Sequence, residues 1–221
     1  MDIELFREES SFLVLFAIMR PLEETLDSFS QLGWFNSEGW TIRSENIDAN
    51  TNILKLLDLS VSTYNQPETN LIWEPRNAQG TTMFRTTSEG CHSPLFNHLA
   101  NMGLECYLIR ICNHKGYVAY DFERRKGGRK SVRCIQYIRD SHRSEFYISG
   151  TPLLFENEGY YSRRLKKDRI NADIILEYMN ALGWNMIDDY FWVSDKLSYY
   201  EIREFTGVQL PTCSTQHNHH N

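Results

Sequence analysis

The chain has 221 residues, of which 41% are hydrophobic and 13% aromatic, and its formal net charge is −6. A chain of this length and composition can bury a core without metal or disulfide support, so disorder over its whole length is excluded. Its five cysteines are odd in number and form no C-x-x-C pair, which is typical of reduced thiols in the cytoplasm. The start, MDIELFREESSF, is acidic, and the apolar run that overlaps it spans only eight residues, so we expect neither a secretory signal nor a membrane span.

The charges are unevenly distributed along the chain. Residues 1–60 carry 11 acidic and 4 basic side chains, a net charge of −7, whereas residues 105–150 carry 10 basic and 5 acidic side chains, a net charge of +5. This asymmetry is typical either of a solvated charged face or of a protein with a charged partner.

The chain opens with a strand and a helix. The segment SFLVLFAIM is short and continuously apolar, which predicts a buried strand. A helix follows, because Pro21 suits a first turn, Glu23 and Glu24 complement its positive end, and Gly33 suits the position after its end. The next segments predict a short strand at 40–43, a short helix at 52–59, strands at 70–74 and 81–87, and a helix from Ser93 to just before Gly103.

Residues 104–150 predict an antiparallel meander of four strands. Each apolar or aromatic run alternates with period two, and each break contains Gly, Asn, Ser or His residues that suit a tight connection. The charged side chains then occupy the opposite face. The predicted inward side chains are Tyr107, Ile109, Ile111, Val118, Tyr120, Phe122, Val132, Cys134, Gln136, Ile138, Phe146 and Ile148.

The chain after the meander predicts one further helix and a polar tail. Asn171 suits the N-cap of a helix at 172–182, and Gly183 suits its end. The segment MIDDYFWVSDKLSYYEIREF predicts a last amphipathic or irregular element. We therefore expect a single α+β domain at 1–210, in which helices from the N-terminal and C-terminal parts pack on an antiparallel sheet, and a disordered polar tail at 211–221.

No motif in the sequence assembles a reaction centre. The chain lacks a G-x-S-x-G elbow and an H-E-x-x-H pair, and the tail histidines have no carboxylate or cysteine partners in register. We therefore expect no catalytic residue, no metal and no cofactor, and interpret the protein as a binding protein rather than an enzyme.

The segment RRKGGRK has two interpretations. It contains Arg124, Arg125, Arg129 and Lys130 around two glycines, and it connects two predicted strands. A hairpin turn flanked by solubilising charges explains the pattern. Alternatively these four side chains bind an anion, which would indicate an enzyme or binding protein for a phosphate-bearing or nucleic-acid ligand. The acidic net charge argues against nucleic acid.

The segment GWNMIDDYFWVSD combines aromatic and acidic residues. Aromatic side chains surrounded by carboxylates suit an interface for a basic protein, with aromatic anchors for affinity and carboxylates for steering. The predicted partner-binding residues are Asp188, Asp189, Tyr190, Trp192 and Asp195. In the alternative interpretation, the aromatic residues only close the core.

The run PLLFENEGYYSRRLKKDRINADIILEYMNALGW, together with the organisation of the chain around it, resembles the immunity proteins that accompany bacterial polymorphic or secretion-delivered toxins. The resemblance implies a cytoplasmic bacterial protein that binds its cognate toxin stoichiometrically and covers or distorts the toxin's active site. The partner implied by the resemblance is therefore a cognate toxin protein, and the carboxylates of the segment GWNMIDDYFWVSD favour a toxin with a basic surface.

Overall fold

A nine-stranded antiparallel sheet dominates the computed structural model, which describes residues 12–31, 40–53, 68–86, 93–114, 116–127, 132–196 and 198–205. Helices lie on both faces, so the predicted α+β class is confirmed. The strand order is β2-β9-β3-β4-β1-β5-β6-β7-β8. The strands are β1 (Phe12–Ile18), β2 (Trp40–Ile47), β3 (Glu68–Trp73), β4 (Thr82–Thr86), β5 (Cys106–His114), β6 (Tyr117–Arg125), β7 (Val132–Arg139), β8 (Ser144–Ser149) and β9 (Ser198–Phe205).

Strand β1 is the middle strand of the sheet, between β4 and β5. Its residues from Leu13 to Ile18 are at most 4% exposed, because helices or irregular segments cover the sheet on both sides here. Leu13 and Leu15 contribute to one hydrophobic core, and Val14 and Phe16 contribute to the other. A continuously apolar strand is therefore what this position requires.

The meander at 104–150 forms one half of this larger sheet. Strands β5, β6, β7 and β8 are antiparallel neighbours in chain order, and β5 also pairs with the whole length of β1, from Cys106 to Cys112. Strand β8 is an edge strand of the sheet. The prediction thus identified four strands of a sheet that extends well beyond them.

The predicted inward face of β7 is wrong. Ile135 and Tyr137 point into the core that contains Phe122, whereas the predicted Val132, Cys134, Gln136 and Ile138 alternate with them and are only half-buried. Ile135 and Tyr137 share their face of β7 with Arg133 and Arg139. Two charged residues in an alternating set are typical of a solvent-facing side, so the sequence indicated the wrong face. Arg133 is nevertheless buried, because a carboxylate from a later segment meets it.

Three described helices cover the two faces of the sheet: α1 (Leu22–Gln31), α2 (Ser93–Asn101) and α3 (Ala172–Ala181). Helices α1 and α2 contribute to the core on one face, and α3 contributes to the core on the other. The side chain of Asn171 caps α3 by accepting a hydrogen bond from the backbone N–H of Ile174, as predicted. No helix among the described residues combines the length and the apolar character that a membrane crossing requires.

The last predicted element consists of a short 3₁₀ turn at Asp189–Trp192 and the strand β9. β9 inserts between β2 and β3, which precede it by more than a hundred residues in the chain. Pairing at such a sequence distance has no local signal in the sequence. The predicted helix at 52–59 beyond Ile53 and the predicted tail at 211–221 lie outside the described residues.

A buried ion pair holds the irregular segment between β8 and α3 against the sheet. Arg133 on β7 contacts Glu156, and their side chains are 3% and 0% exposed. Arg133 also donates to the carbonyl oxygens of Ser149 and Gly150. Gly150 has φ +81°, and a Cβ atom there would lie 2.0 Å from the carbonyl oxygen of Val132, so only glycine fits.

Candidate functional site

The acidic and aromatic segment GWNMIDDYFWVSD forms a corner of the fold that leaves one aromatic side chain exposed to solvent. Asp188 caps the 3₁₀ turn, because its Oδ1 accepts a hydrogen bond of 3.0 Å from the N–H of Tyr190. Tyr190 is 55% exposed, whereas the next two residues, Phe191 and Trp192, are 0% exposed. The turn therefore anchors itself in the core and presents a single aromatic ring to solvent.

Trp192 does not belong to the exposed part of the predicted surface. Its indole stacks on Trp73 at a centroid distance of 5.7 Å, and its Nε1–H donates 2.9 Å to the carbonyl oxygen of Met186. The interpretation in which the aromatic residues close the core therefore applies to Trp192 and Phe191. It does not apply to Tyr190.

Arg76 joins the two ends of this corner. Its guanidinium lies 2.6 Å from Oδ1 of Asp195 and 5.4 Å from the ring centre of Tyr190. Its backbone N–H donates to the carbonyl oxygens of Tyr190 and Val193. Asp188 is half-buried, and Asp189 and Asp195 are exposed. We call the side chains of Asp188, Asp189, Tyr190 and Asp195 the Tyr190 surface.

A second ion pair lies beside the Tyr190 surface. Glu74 accepts hydrogen bonds from the backbone N–H groups of Leu22 and Gly80 and from Nζ of Lys196. Burial acts to raise the pKa of Glu74, but these donors outweigh it and hold the pKa below its usual value. A depression of about 150 Å³ lies here, lined in part by Glu74, Arg76 and Asp195.

The predicted anion-binding residues do not converge. Arg124 and Arg125 are neighbours on β6 and point to opposite faces of the sheet: Arg124 pairs with Glu105 at 2.8 Å, and Arg125 pairs with Glu123 at 2.5 Å. Arg129 and Lys130 lie outside the described residues. Each described cation of this group is therefore engaged by a carboxylate.

Glu105 forms ion pairs with two of the described cations at this end of the meander. It accepts hydrogen bonds from Tyr107 and Arg124 and lies 2.9 Å from Nζ of Lys126. Burial acts to raise the pKa of Glu105, but Arg124, Lys126 and Tyr107 lower it to about 2. The carboxylate therefore stays ionised at neutral pH and compensates the charges around it.

The opposite end of the meander contains a groove that sequence reasoning missed. A cavity of about 270 Å³ lies between β6, β7 and the start of α3, and Tyr120, Tyr137, Arg139 and Lys167 contribute to its lining. The available signal was the run Arg163–Arg169, in which five of seven residues are basic. That Arg139 lies beside this run depends on the tertiary structure.

The described residues contain no group of three or more His, Cys, Asp or Glu side chains placed to hold a metal ion. Comparison of the chain with protein-family models, with curated proteins and with solved structures found no match.

Proposed function

We propose that this protein is an immunity protein, which binds a cognate bacterial toxin through the Tyr190 surface and neutralises it by covering or distorting its active site. The observation that carries the proposal is the exposure of Tyr190 on a turn whose next two residues are fully buried. Tyrosine is among the residues that dominate binding energy at protein interfaces.

The turn is organised before any partner binds. The N–H of Tyr190 is held by Asp188, and its carbonyl oxygen accepts a hydrogen bond of 3.2 Å from the N–H of Arg76. A partner that contacts Tyr190 therefore does not have to order the backbone, and little conformational entropy is lost on binding.

The charges of this corner favour a basic partner. Two cations, Arg76 and Lys196, are already paired with Asp195 and Glu74. Asp189 adds an exposed carboxylate beside Tyr190. An excess of carboxylates at the rim of an aromatic anchor accelerates association with a positively charged surface. The resemblance of residues 152–184 to immunity proteins supports a toxin as that partner.

The experiment begins by capturing the partner from cells of the source organism with the tagged protein. The captured protein is then expressed alone, where it should arrest growth, and together with this protein, where growth should recover. We expect the double variant Asp189→Lys with Tyr190→Ala to slow association at least about tenfold and to lose protection.

Glu158→Lys is the matched control for charge, because Glu158 is also an exposed acid in a 3₁₀ turn but belongs to another part of the surface. It should protect like the wild type. Equal protection by the double variant would contradict the choice of surface. A captured partner that is harmless when expressed alone would contradict the immunity function itself.

A further inference from the structure

Among the residues that the structure describes, most cations are engaged by carboxylates. Nine Lys and Arg side chains among the described residues lie within ion-pair distance of an Asp or Glu side chain. They are Arg20, Arg76, Arg110, Arg124, Arg125, Lys126, Arg133, Arg143 and Lys196.

Six other cations form a group of a different kind, which we call the basic cluster. Within the described part of the chain, none of them has a carboxylate within ion-pair distance, although the protein has six more acidic than basic residues. The basic cluster consists of Arg139, Arg163, Arg164, Lys166, Lys167 and Arg169.

Backbone carbonyl groups, rather than carboxylates, hold several of these side chains in place. Arg163 donates 2.8 Å to the carbonyl oxygen of Asp168, and Arg169 donates 2.8 Å to that of Arg163. Nζ of Lys166 donates 2.8 Å to the carbonyl oxygen of Ser144 on the edge strand. A carbonyl group orients a cation without neutralising it, so the loop is ordered and its positive charge remains.

The basic cluster borders the groove at the end of β6 and β7. Arg139 from β7 and Lys167 from the loop both line its cavity of about 270 Å³. The rings of Tyr120 and Tyr137 lie nearly parallel there, 15° apart with centroids separated by 6.3 Å. The groove thus combines two cations from separate parts of the chain with a tyrosine pair.

Polar groups complete the lining. Asn113 and Asn171 contribute amides, and Asp168 contributes the carboxylate. The acid does not balance Arg139 and Lys167, and the other four cations of the cluster lie on the same loop. The charge of Asp173 also reaches Tyr120, but the six cations of the basic cluster outnumber these two carboxylates, so the balance of charge around the groove is positive.

We infer that this groove binds a phosphate ester that carries a planar ring, the chemical class of the mononucleotides. Arg139 and Lys167 hold the phosphate, since guanidinium and ammonium groups are the usual phosphate donors. The ring lies on Tyr120, and Asn113 and Asn171 meet its polar edge.

The size of the groove selects a small ligand over a nucleic-acid polymer. A cavity of about 270 Å³ lies just below the usual range for small-molecule sites, so it suits a small ligand that is partly open to solvent. The net charge of −6 works against a long polyanion, whose phosphates would extend beyond the basic cluster. The groove lies at the opposite end of the strands from the Tyr190 surface, so the two sites share no residue.

The test is a calorimetric titration of the full chain with AMP, with inorganic phosphate, and with a single-stranded oligonucleotide. We expect AMP to bind at concentrations up to about 1 mM and to bind more tightly than inorganic phosphate. The double variant Arg139→Ala with Lys167→Ala should weaken AMP binding at least about tenfold. Tyr120→Leu should weaken the binding of AMP but not that of inorganic phosphate.

Arg143→Ala is the control for net charge, because Arg143 is an exposed cation near the same end of the sheet that is paired with Glu145 at 3.3 Å. It should bind AMP like the wild type. The inference is overturned if AMP does not bind, if the double variant binds it equally well, or if Arg143→Ala weakens binding as much as the double variant does. Tight binding of the oligonucleotide without binding of AMP would overturn it in favour of a polymer.

Discussion

Two buried ion pairs on opposite faces of the sheet use the same chemistry with different results. Arg133 and Glu156 meet on the face that α3 covers, and the donors around Glu156 saturate its oxygens: Arg133, the N–H of Leu153 and the hydroxyl of Tyr161. Arg110 and Asp121 meet on the other face, with Nε 3.2 Å from Oδ2. Neither oxygen of Asp121 has a well-aligned hydrogen bond from the described residues.

The pKa of Asp121 reflects this difference. Burial raises it to about 6, and the positive charge of Arg110 and the nearby amide of Gln136 only partly oppose the shift. A buried pair stabilises a fold when hydrogen bonds satisfy the remaining polar atoms of both partners, and contact between opposite charges alone does not repay the loss of hydration. The first pair therefore holds a segment in place, and the second makes the fold sensitive to pH.

Removing one partner of the saturated pair should have the largest effect. Glu156→Ala leaves Arg133 buried and without its carboxylate, so we expect the free energy of unfolding to fall by about 3–5 kcal/mol. Urea denaturation measures this change. The double variant Arg133→Met with Glu156→Leu should recover part of the loss, because it leaves no buried charge but removes the acceptor of the Leu153 N–H and the Tyr161 hydroxyl. A loss below about 1 kcal/mol for Glu156→Ala would contradict a structural role for the pair.

The pair of Arg110 and Asp121 should make the free energy of unfolding depend on pH, with an effect of intermediate size. In the folded state Asp121 binds its proton up to about pH 6, whereas its ordinary pKa is 3.8. The folded state therefore holds the proton more tightly than the unfolded state does. The free energy of unfolding should decrease as the pH rises from about 4 to about 6, by up to about 3 kcal/mol. Denaturation curves across this range should lose that slope in Asp121→Asn.

Glu105 serves as the internal reference for this measurement. Its pKa is lowered from 4.5 to about 2, so its contribution to stability grows as the pH rises from about 2 to 4.5 and then stays constant. Glu105 therefore makes the free energy of unfolding rise with pH, whereas Asp121 makes it fall, and the effect of Glu105 occurs at lower pH. Asp121→Asn should leave that part of the curve unchanged, and a variant curve parallel to the wild type above pH 4.5 would refute the assignment to Asp121.

The smallest effect should come from the outer hydrogen bonds of the saturated pair. The hydroxyl of Tyr178 lies 2.7 Å from that of Tyr161, which in turn donates to Glu156. Tyr178→Phe removes one hydrogen bond between neutral groups, so we expect a loss of about 1 kcal/mol in thermal or urea unfolding. Tyr147→Phe is the control, because Tyr147 is 56% exposed, and it should change stability much less. Equal effects of both variants would show that the outer hydrogen bond contributes nothing.

Much of the local structure could be predicted because its determinants are neighbours in the chain. The apolar run of β1 and the Asn171 cap of α3 each depend on residues a few positions apart. The exposed part of the candidate partner surface follows the same rule, since Asp188 caps the turn that presents Tyr190.

What failed to be predicted depends on contacts between distant parts of the chain. Trp192 has the composition of an interface anchor, but Trp73 and the carbonyl group of Met186 hold it in the core. The inward face of β7 could not be read because Glu156, more than twenty residues later, allows Arg133 to be buried.

The sequence by itself determined the α+β class, the meander and the Asn171 cap of α3, because hydrophobic patterning and capping depend on residues a few positions apart in the chain. Only the tertiary structure decided that β9 lies between β2 and β3, that Arg133 is inside, and that Arg139 joins the basic loop beside a tyrosine groove. These outcomes depend on which distant segments can together bury apolar surface and satisfy their polar groups, a balance that no local pattern encodes.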